Sequence, residues 1–393
     1  MAELIPPFSL ARQAEQLAAE VQAAVSRVLA SGRYAQGPEC AAFEQEVASL
    51  LGGKPLAALT CSSGTDALHL ALRAVGVGPG DVVLTSAFTF FATAGAILLA
   101  GATPEFVDIE PESFNLDPST LARALARPRR ERIAAIVPVH LYGRVAAMPA
   151  IMELANAGGI PVVEDAAQAI GAALDARTAG SWGAVGCFSF YPTKNLGAMG
   201  EGGLVTTCDP EILDRLTLLR VHGSRQRYEH ETMGWNARMH ELQAAILRAK
   251  LPHLAGWNAR RRAIAAAYNQ QLAGVKEITL PSLNEGHVFH QYVIRAPRRE
   301  AARAFLQEHG IGTEVYYPIP LHQQPVLRRY AGAALPEAER AAREVLALPM
   351  FPELSDAEVE RVTGVLRSFY SDSRGAGQRE ARGAAPGKGG VSQ

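Results

Sequence analysis

Lys194 is one of only five lysines in a 393-residue chain that carries 33 arginines. It follows an apolar run, Val185–Tyr191, inside the glycine-rich stretch FSFYPTKNLGAMGEGG (Phe188–Gly203). A lysine just past a buried strand loses solvation of its charged form, so its pKa falls and its amine becomes a nucleophile. The other four (Lys54, Lys250, Lys276 and Lys388) fall in segments expected to be exposed helices, loops or tail. That singles out Lys194, against the plainer reading of a surface lysine in a turn.

Two further segments can do chemistry. In IPVVED (Ile160–Asp165) an apolar run leads directly into two adjacent carboxylates, with Gln168 three residues on. A carboxylate there costs solvation unless a cation or donors compensate, although a solvated strand end or a helix N-cap also accounts for it. In CSSGTDA (Cys61–Ala67) a strand passes through small polar residues into a helix, a natural seat for a phosphate. Ser63 and Asp66 also fit a capping box, which would be purely structural. Taken together, a nucleophilic amine, a buried acid and a phosphate seat are what pyridoxal 5′-phosphate requires. The amine bonds its aldehyde, the acid keeps its pyridine nitrogen protonated, and the helix terminus holds its phosphate.

Other chemistries fail on spacing. His240-Glu241 begins a zinc-binding HExxH, but position 244 is alanine, and no metal is expected. GVGPGD (Gly76–Asp81) follows a helix and precedes a strand, the reverse of a dinucleotide-binding loop. Four cysteines without CxxC spacing suggest no disulfide scaffold and a reduced, cytoplasmic setting. A net charge of −1 gives no pull towards nucleic acid or anionic lipid. Residues 82–104 carry no formal charge, but their threonines, glycines and final proline read as strand, turn and buried helix, not a membrane span.

The elements that position these residues follow from periodicity. Residues 10–31 read as an amphipathic helix stopped at Ser31-Gly32. From residue 56, apolar runs at 56–60, 82–85, 105–108, 133–139, 160–164, 185–191 and 203–207 alternate with helical patterns such as Leu68, Ala71, Leu72 and Val75. Runs apolar on both faces and separated by helices indicate an α/β domain with a mostly parallel central sheet. We expect this large domain over 1–250. A smaller α+β domain should follow over 251–371, with strand-like runs at 287–295 and 312–317. A capping box at Ser355–Glu358 should start its last helix. Residues 372–393, glycine-rich and nearly free of aliphatics, are expected to be a disordered tail.

With these motifs in hand, the sequence resembles the DegT/StrS family of PLP-dependent sugar aminotransferases, of the aspartate-aminotransferase fold (fold type I). The resemblance covers roughly residues 5–370. It rests on GRYAQGPE (Gly32–Glu39), SSGTDALHLAL (Ser62–Leu72), FTFFATAGAILLAGATP (Phe88–Pro104), VEDAAQAIGA (Val163–Ala172), the Lys194 stretch, GWNARMHELQAAI (Gly234–Ile246) and YYPIPLH (Tyr316–His322). It implies that Lys194 bonds the cofactor aldehyde and later shuttles the proton, and that Asp165 pairs with the pyridine nitrogen. It further implies that Gln168 reaches the ring hydroxyl, that Gly64, Thr65 and Ser189 hold the phosphate, and that Phe90 stacks on the ring. Asn236 would complete the phosphate site from a neighbouring subunit, so a homodimer with shared active sites is implied.

The reaction implied moves an amino group from an amino acid, usually glutamate, to a nucleotide-linked keto-sugar, in amino-sugar biosynthesis for a surface polysaccharide or secondary metabolite. KNLGA followed by GEGG is similar to the family's 3-keto branch more than its 4-keto branch. Tyr228, His322 and Arg225 match segments that tend to line the sugar-nucleotide pocket; for His322 an ordinary surface position is the alternative. A cyclitol ketone in place of the nucleotide sugar, or a non-catalytic regulatory protein on the same fold, are the competing readings. The second should lack the lysine or its partner acid, and both are present here.

Overall fold

Seven short aliphatic runs form one central sheet in a computed structural model that describes residues 4–52, 55–128 and 131–383, the side chains of 372–383 excepted. The strands are β1 (Ala57–Cys61), β2 (Val82–Ser86), β3 (Thr103–Val107), β4 (Ile133–Val137), β5 (Val163–Asp165), β6 (Val185–Ser189) and β7 (Gly203–Thr207). Each expected run becomes a strand. Ladders join β3-β2-β4 and β1-β7-β6-β5, and parallel bridges Ile136–Val162 and Val139–Asp165 connect the two groups. The spatial order is therefore β3-β2-β4-β5-β6-β7-β1, parallel throughout except for β7, which runs antiparallel to both neighbours.

Alternating side chains serve opposite faces. Leu84, Phe188 and Leu204 enter one core with Phe43, Val47 and Leu254. Val83, Val185 and Val205 enter the other, beneath Leu68, Leu72 and Ile97 from the helices Gly64–Ala74 and Phe91–Leu99. The uncharged stretch 82–104 is thus β2, a helix buried on one face with Phe91 and Leu99 exposed on the other, and the start of β3. Among the described residues no helix is long and apolar enough to cross a membrane.

A second core surrounds the antiparallel strands β8 (Tyr292–Arg295) and β9 (Val345–Leu348), with Phe351, Val359, Val362 and Leu366. Strand character in 287–295 is confined to its second half, and 312–317 makes only an isolated bridge, Glu314–Ala347. Helix Leu254–Leu272 serves both cores, through Leu254 at one end and Ile264, Tyr268 and Leu272 further on. Ile5 joins the second core and bridges Ile311, so the chain's start packs with its C-terminal part.

Two local expectations change. The N-terminal helix is broken at Leu17 into Ala11–Gln16 and Ala18–Ser31. The last helix has its capping box, with the Glu358 amide donating to Ser355 Oγ at 3.2 Å and the Ser355 amide to Glu358 Oε2 at 2.8 Å. It continues to Gly383, so the first part of the segment expected to be disordered is helical. A helix already nucleated and packed by its first turns can propagate through such residues. Residues 384–393 lie outside the described residues.

Glu164 ties β5 to its surroundings from behind the site. Its buried carboxylate accepts the amides of Gly180, Trp182 and Gly183 at 2.7–2.8 Å and faces His140 Nε2 at 2.9 Å. The Ala146 amide donates to His140 Nδ1 at 3.1 Å, so Nε2 carries the proton given to Glu164. Glu164→Ala would strand these buried donors, and we expect a stability loss of about 3 kcal/mol or more in urea unfolding. A loss below about 1 kcal/mol would show that the amides find other partners.

Candidate active site

Strand β7 brings the residues of the expected phosphate seat together. Its first residue, Gly203, pairs with Cys61 at the end of β1 and with Ser189 at the end of β6. The chain leaving β1 enters helix Gly64–Ala74, capped by Ser63 Oγ, which accepts the Asp66 amide at 3.1 Å. The approach is close: a Cβ on Gly203 would lie 2.2 Å from the Ser63 carbonyl oxygen, and one on Gly64 would lie 2.6 Å from Ser189 Cβ. Glycine at both positions lets β6 and the helix start meet. Gly64, Thr65 and Ser189 thereby meet at one corner at a helix start, which suits a phosphate.

Asp165 ends β5 on the same sheet edge and is buried. Its Oδ2 accepts from Thr93 Oγ1 at 2.8 Å and its Oδ1 from the Ala167 amide at 3.2 Å. Burial pushes its pKa up, while the Thr93 hydroxyl, the Ala167 amide and the nearby Lys194 pull the other way. Gln168, three residues beyond, is held at both ends of its amide. Its Oε1 accepts the Tyr142 amide at 2.6 Å and its Nε2 donates to Tyr317 Oη at 3.2 Å, leaving one amide hydrogen to spare.

Lys194 lies in the loop after β6, half-buried. Burial lowers its amine to about 8, with attraction to Asp165 opposing the shift. The loop that follows it is bolted down. Asn195 Nδ2 donates to Asn258 Oδ1 at 2.8 Å and to the Val288 carbonyl at 3.1 Å, so its Oδ1 accepts from His290 Nδ1 at 3.0 Å. Lys250 Nζ donates to the Gly197 carbonyl at 2.8 Å. Lys250 is therefore buried, contrary to the expectation that the other lysines are exposed, but its amine is committed to holding the Lys194 loop.

Phe90 caps the start of helix Phe91–Leu99 and is 58% exposed, its ring 6.2 Å from that of Tyr317. With Thr65, Phe91, Leu98 and Leu99 it lines an open, largely apolar pocket of about 550 Å³. Lys194, Asp165, Gln168, Ser189, Gly64, Thr65 and Phe90 thus converge on one sheet edge. Four other candidates do not join them within one chain. Asn236 is exposed, its Oδ1 taking the Arg238 Nε at 2.9 Å. Arg225 is paired with Asp214 and Glu231 in the hairpin 224–230, and Tyr228 at its tip is 82% exposed. His322 is buried, not on the surface, with Nε2 3.3 Å from Glu339 Oε1.

Thr93 and Tyr317 touch this site and escaped the sequence reading. Thr93 had one visible signal, a hydroxyl inside an otherwise apolar helix three residues after Phe90.

The sequence profile of the DegT/DnrJ/EryC1/StrS aminotransferase family matches residues 15–367. The chain belongs to this family. A "pleiotropic regulatory protein" of Geobacillus stearothermophilus is 47% identical over 93% of this chain and 98% of its own length. The UDP-N-acetyl-3-dehydro-α-D-glucosamine 3-aminotransferase of Acidithiobacillus ferrooxidans is 45% identical over 92% and 97%. Among solved structures, Streptomyces venezuelae DesV with a ketimine intermediate matches with a TM-score of 0.90, at 44% identity over 94% of this chain and 99% of that one. Bacillus subtilis NtdA with bound pyridoxamine phosphate matches at 0.85, with 33% identity over 91% and 82%.

As a family member the chain is an aminotransferase whose cofactor is pyridoxal 5′-phosphate, and its residues fit that group. The Gly64–Ser189 contact leaves backbone where side chains would intrude, a buried acid faces the site, and the nearby amine is depressed in pKa. Below about pH 8 the Lys194 amine is mostly protonated and cannot attack; above it the neutral form dominates. Capture of added cofactor by cofactor-free protein, followed by absorbance, should accelerate as pH rises through about 8. Near neutrality it should exceed the rate for an unperturbed lysine on the order of a hundredfold. A rate that climbs only towards pH 10 would contradict this.

Proposed function

We propose that this chain transfers the amino group of an amino acid, L-glutamate, to the 3-keto group of a nucleotide-linked sugar. The observation that carries the reading is the meeting of Lys194, Asp165 and the Gly64–Ser189 corner on one sheet edge, in a chain 45% identical to a nucleotide-sugar 3-aminotransferase. The KNLGA…GEGG stretch points the same way. The nucleotide sugar would come from amino-sugar biosynthesis, with the enzyme working in the cytoplasm.

Bound pyridoxal 5′-phosphate supplies an aldehyde that ferries the amino group and a ring that withdraws electrons from the breaking bond. Lys194 Nζ would hold that aldehyde and, as a free amine, would move a proton from one substrate or cofactor carbon to another. A depressed amine suits this task, because it releases and accepts protons near neutral pH. Asp165 would face the ring nitrogen as a carboxylate. Gly64, Thr65 and Ser189 would bind the phosphate through amides and hydroxyls, Phe90 would cover one ring face, and the spare amide hydrogen of Gln168 would serve the ring hydroxyl.

Asn236 would reach the phosphate of a second subunit, and Tyr228, Arg225 and His322 would border the sugar nucleotide. The exposure of Asn236 and Tyr228, and the apolar rim of Phe90, Phe91 and Leu99 at the pocket mouth, support a homodimer. A regulatory role is suggested by the name of the Geobacillus relative; retention of Lys194 and Asp165 weighs against it.

The test is spectroscopic. Glutamate added to the cofactor-loaded protein should convert the aldehyde spectrum to that of the amine form. A panel of UDP- and dTDP-linked 3-keto and 4-keto sugars should then regenerate it with 3-keto substrates alone. Lys194→Ala should fold and bind cofactor but show neither change. If glutamate leaves the spectrum untouched, the donor is wrong; regeneration by 4-keto sugars would overturn the substrate class; no bound cofactor would favour the regulatory reading.

A further inference from the structure

We propose that Thr93 is a positioning residue that holds Asp165 ionised and oriented towards the cofactor's ring nitrogen, with Thr89 donating to Thr93 from behind. The proposal rests on the cofactor assignment above and goes beyond it to residues that touch the acid and not the ring.

The direction of the hydrogen bonds follows from chemistry. An ionised carboxylate only accepts, so the 2.8 Å contact between Thr93 Oγ1 and Asp165 Oδ2 uses the Thr93 proton. The 3.3 Å contact between Thr89 Oγ1 and Thr93 Oγ1 can then be made only with Thr89 as donor. The result is a chain from Thr89 to Thr93 to Asp165, polarised towards the carboxylate. Water has little access to replace it, since Thr89 and Thr93 are 3% and 1% exposed. Among the described residues, the other oxygen of Asp165 receives the longer Ala167 amide bond, at 3.2 Å, so Thr93 is the shorter of the two constraints on the carboxylate plane.

The placement of Thr93 supports this role. A threonine inside a helix commonly returns its hydroxyl to a carbonyl of the preceding turn. Thr93 instead sends it off the helix to another element, 72 residues away in sequence. It stands on the first turn of helix Phe91–Leu99, and its amide donates to the Phe90 carbonyl at 3.3 Å. One helix start therefore carries both Phe90 at the pocket and the donor that orients Asp165. A shift of that turn would move the two together.

Thr93→Val keeps the shape and removes the donor; Thr93→Ser keeps the donor and removes the methyl. The dissociation constant of pyridoxamine phosphate would be measured by equilibrium dialysis. Protonation of its ring nitrogen would be followed through the shift of ¹⁵N-labelled cofactor across pH. Thr93→Val should weaken binding roughly tenfold and let the bound ring nitrogen lose its proton at lower pH, while Thr93→Ser stays within about twofold of wild type. Should Thr93→Val fail to fold, Thr89→Val should show smaller shifts of the same sign. Unchanged binding and protonation in the valine variants, or equal damage in Thr93→Ser, would overturn the proposal. A wild-type chain that retains no pyridoxamine phosphate would remove it together with the cofactor assignment.

Discussion

A carboxylate buried at the end of the central strand is the constraint around which this site is organised. Asp165 loses water on all sides, which by itself would favour its neutral form. An acid that must stay ionised therefore needs donors and a cation brought to it by other elements. The Thr93 hydroxyl comes from the helix after β2, the Ala167 amide from the turn after β5, and Lys194 from the loop after β6. Each has to arrive at one point, and only a sheet whose strands end on a common edge brings them there. The same carboxylate limits how far burial can depress Lys194, so the two groups temper one another across the site.

Such a charge is useful only if the strand under it cannot move, and the neighbouring residue supplies that. Glu164 points to the opposite face and is saturated by three amides and His140. Consecutive acids on a strand thus divide their work: one is consumed by structure, the other left with capacity to accept. The lysine loop is treated likewise. Asn195, Lys250 and Gln243, the last receiving the Met199 amide at 2.9 Å, fix the backbone around Lys194, while its own side chain stays uncommitted to any carboxylate pair among the described residues. Rigid backbone with an unspent functional group is what positioning for catalysis requires.

These features differed in how legible they were. The strands were plain because buried parallel strands are aliphatic on both faces, and each run is bounded by glycine, proline or charge. Lys194, Asp165 and the Ser62–Thr65 turn could be found because they break that pattern at strand ends. Thr93 was hidden by the opposite circumstance: its partner lies on another element, and nothing in helical spacing announces a contact across a sheet. Lys250 was misread as exposed because an amphipathic helix pattern does not reveal that its polar residue meets a loop carbonyl. The shortness of β8 and the irregular course of 312–317 were equally invisible, since extended backbone can be apolar without finding a strand partner.

Asn236, Tyr228 and Arg225 show where the chain's own geometry stops. Each sits in or beside the segment 224–238, which leaves the large core after helix Pro210–Leu219 and presents polar side chains outward. That segment is not loose. Trp235 anchors it by donating Nε1 to Asp66 Oδ1 at 2.9 Å and by stacking on His69 at 4.1 Å, and the Ser62 amide donates to the Ala237 carbonyl at 3.0 Å. It is therefore fastened to the turn that starts helix Gly64–Ala74, the expected phosphate seat. Asn236 and Tyr228 on it are exposed, while Arg225 is spent on Asp214 and Glu231. The turn and this segment are mechanically one unit, so the proposed second subunit, docking there, would be held in register with the helix start.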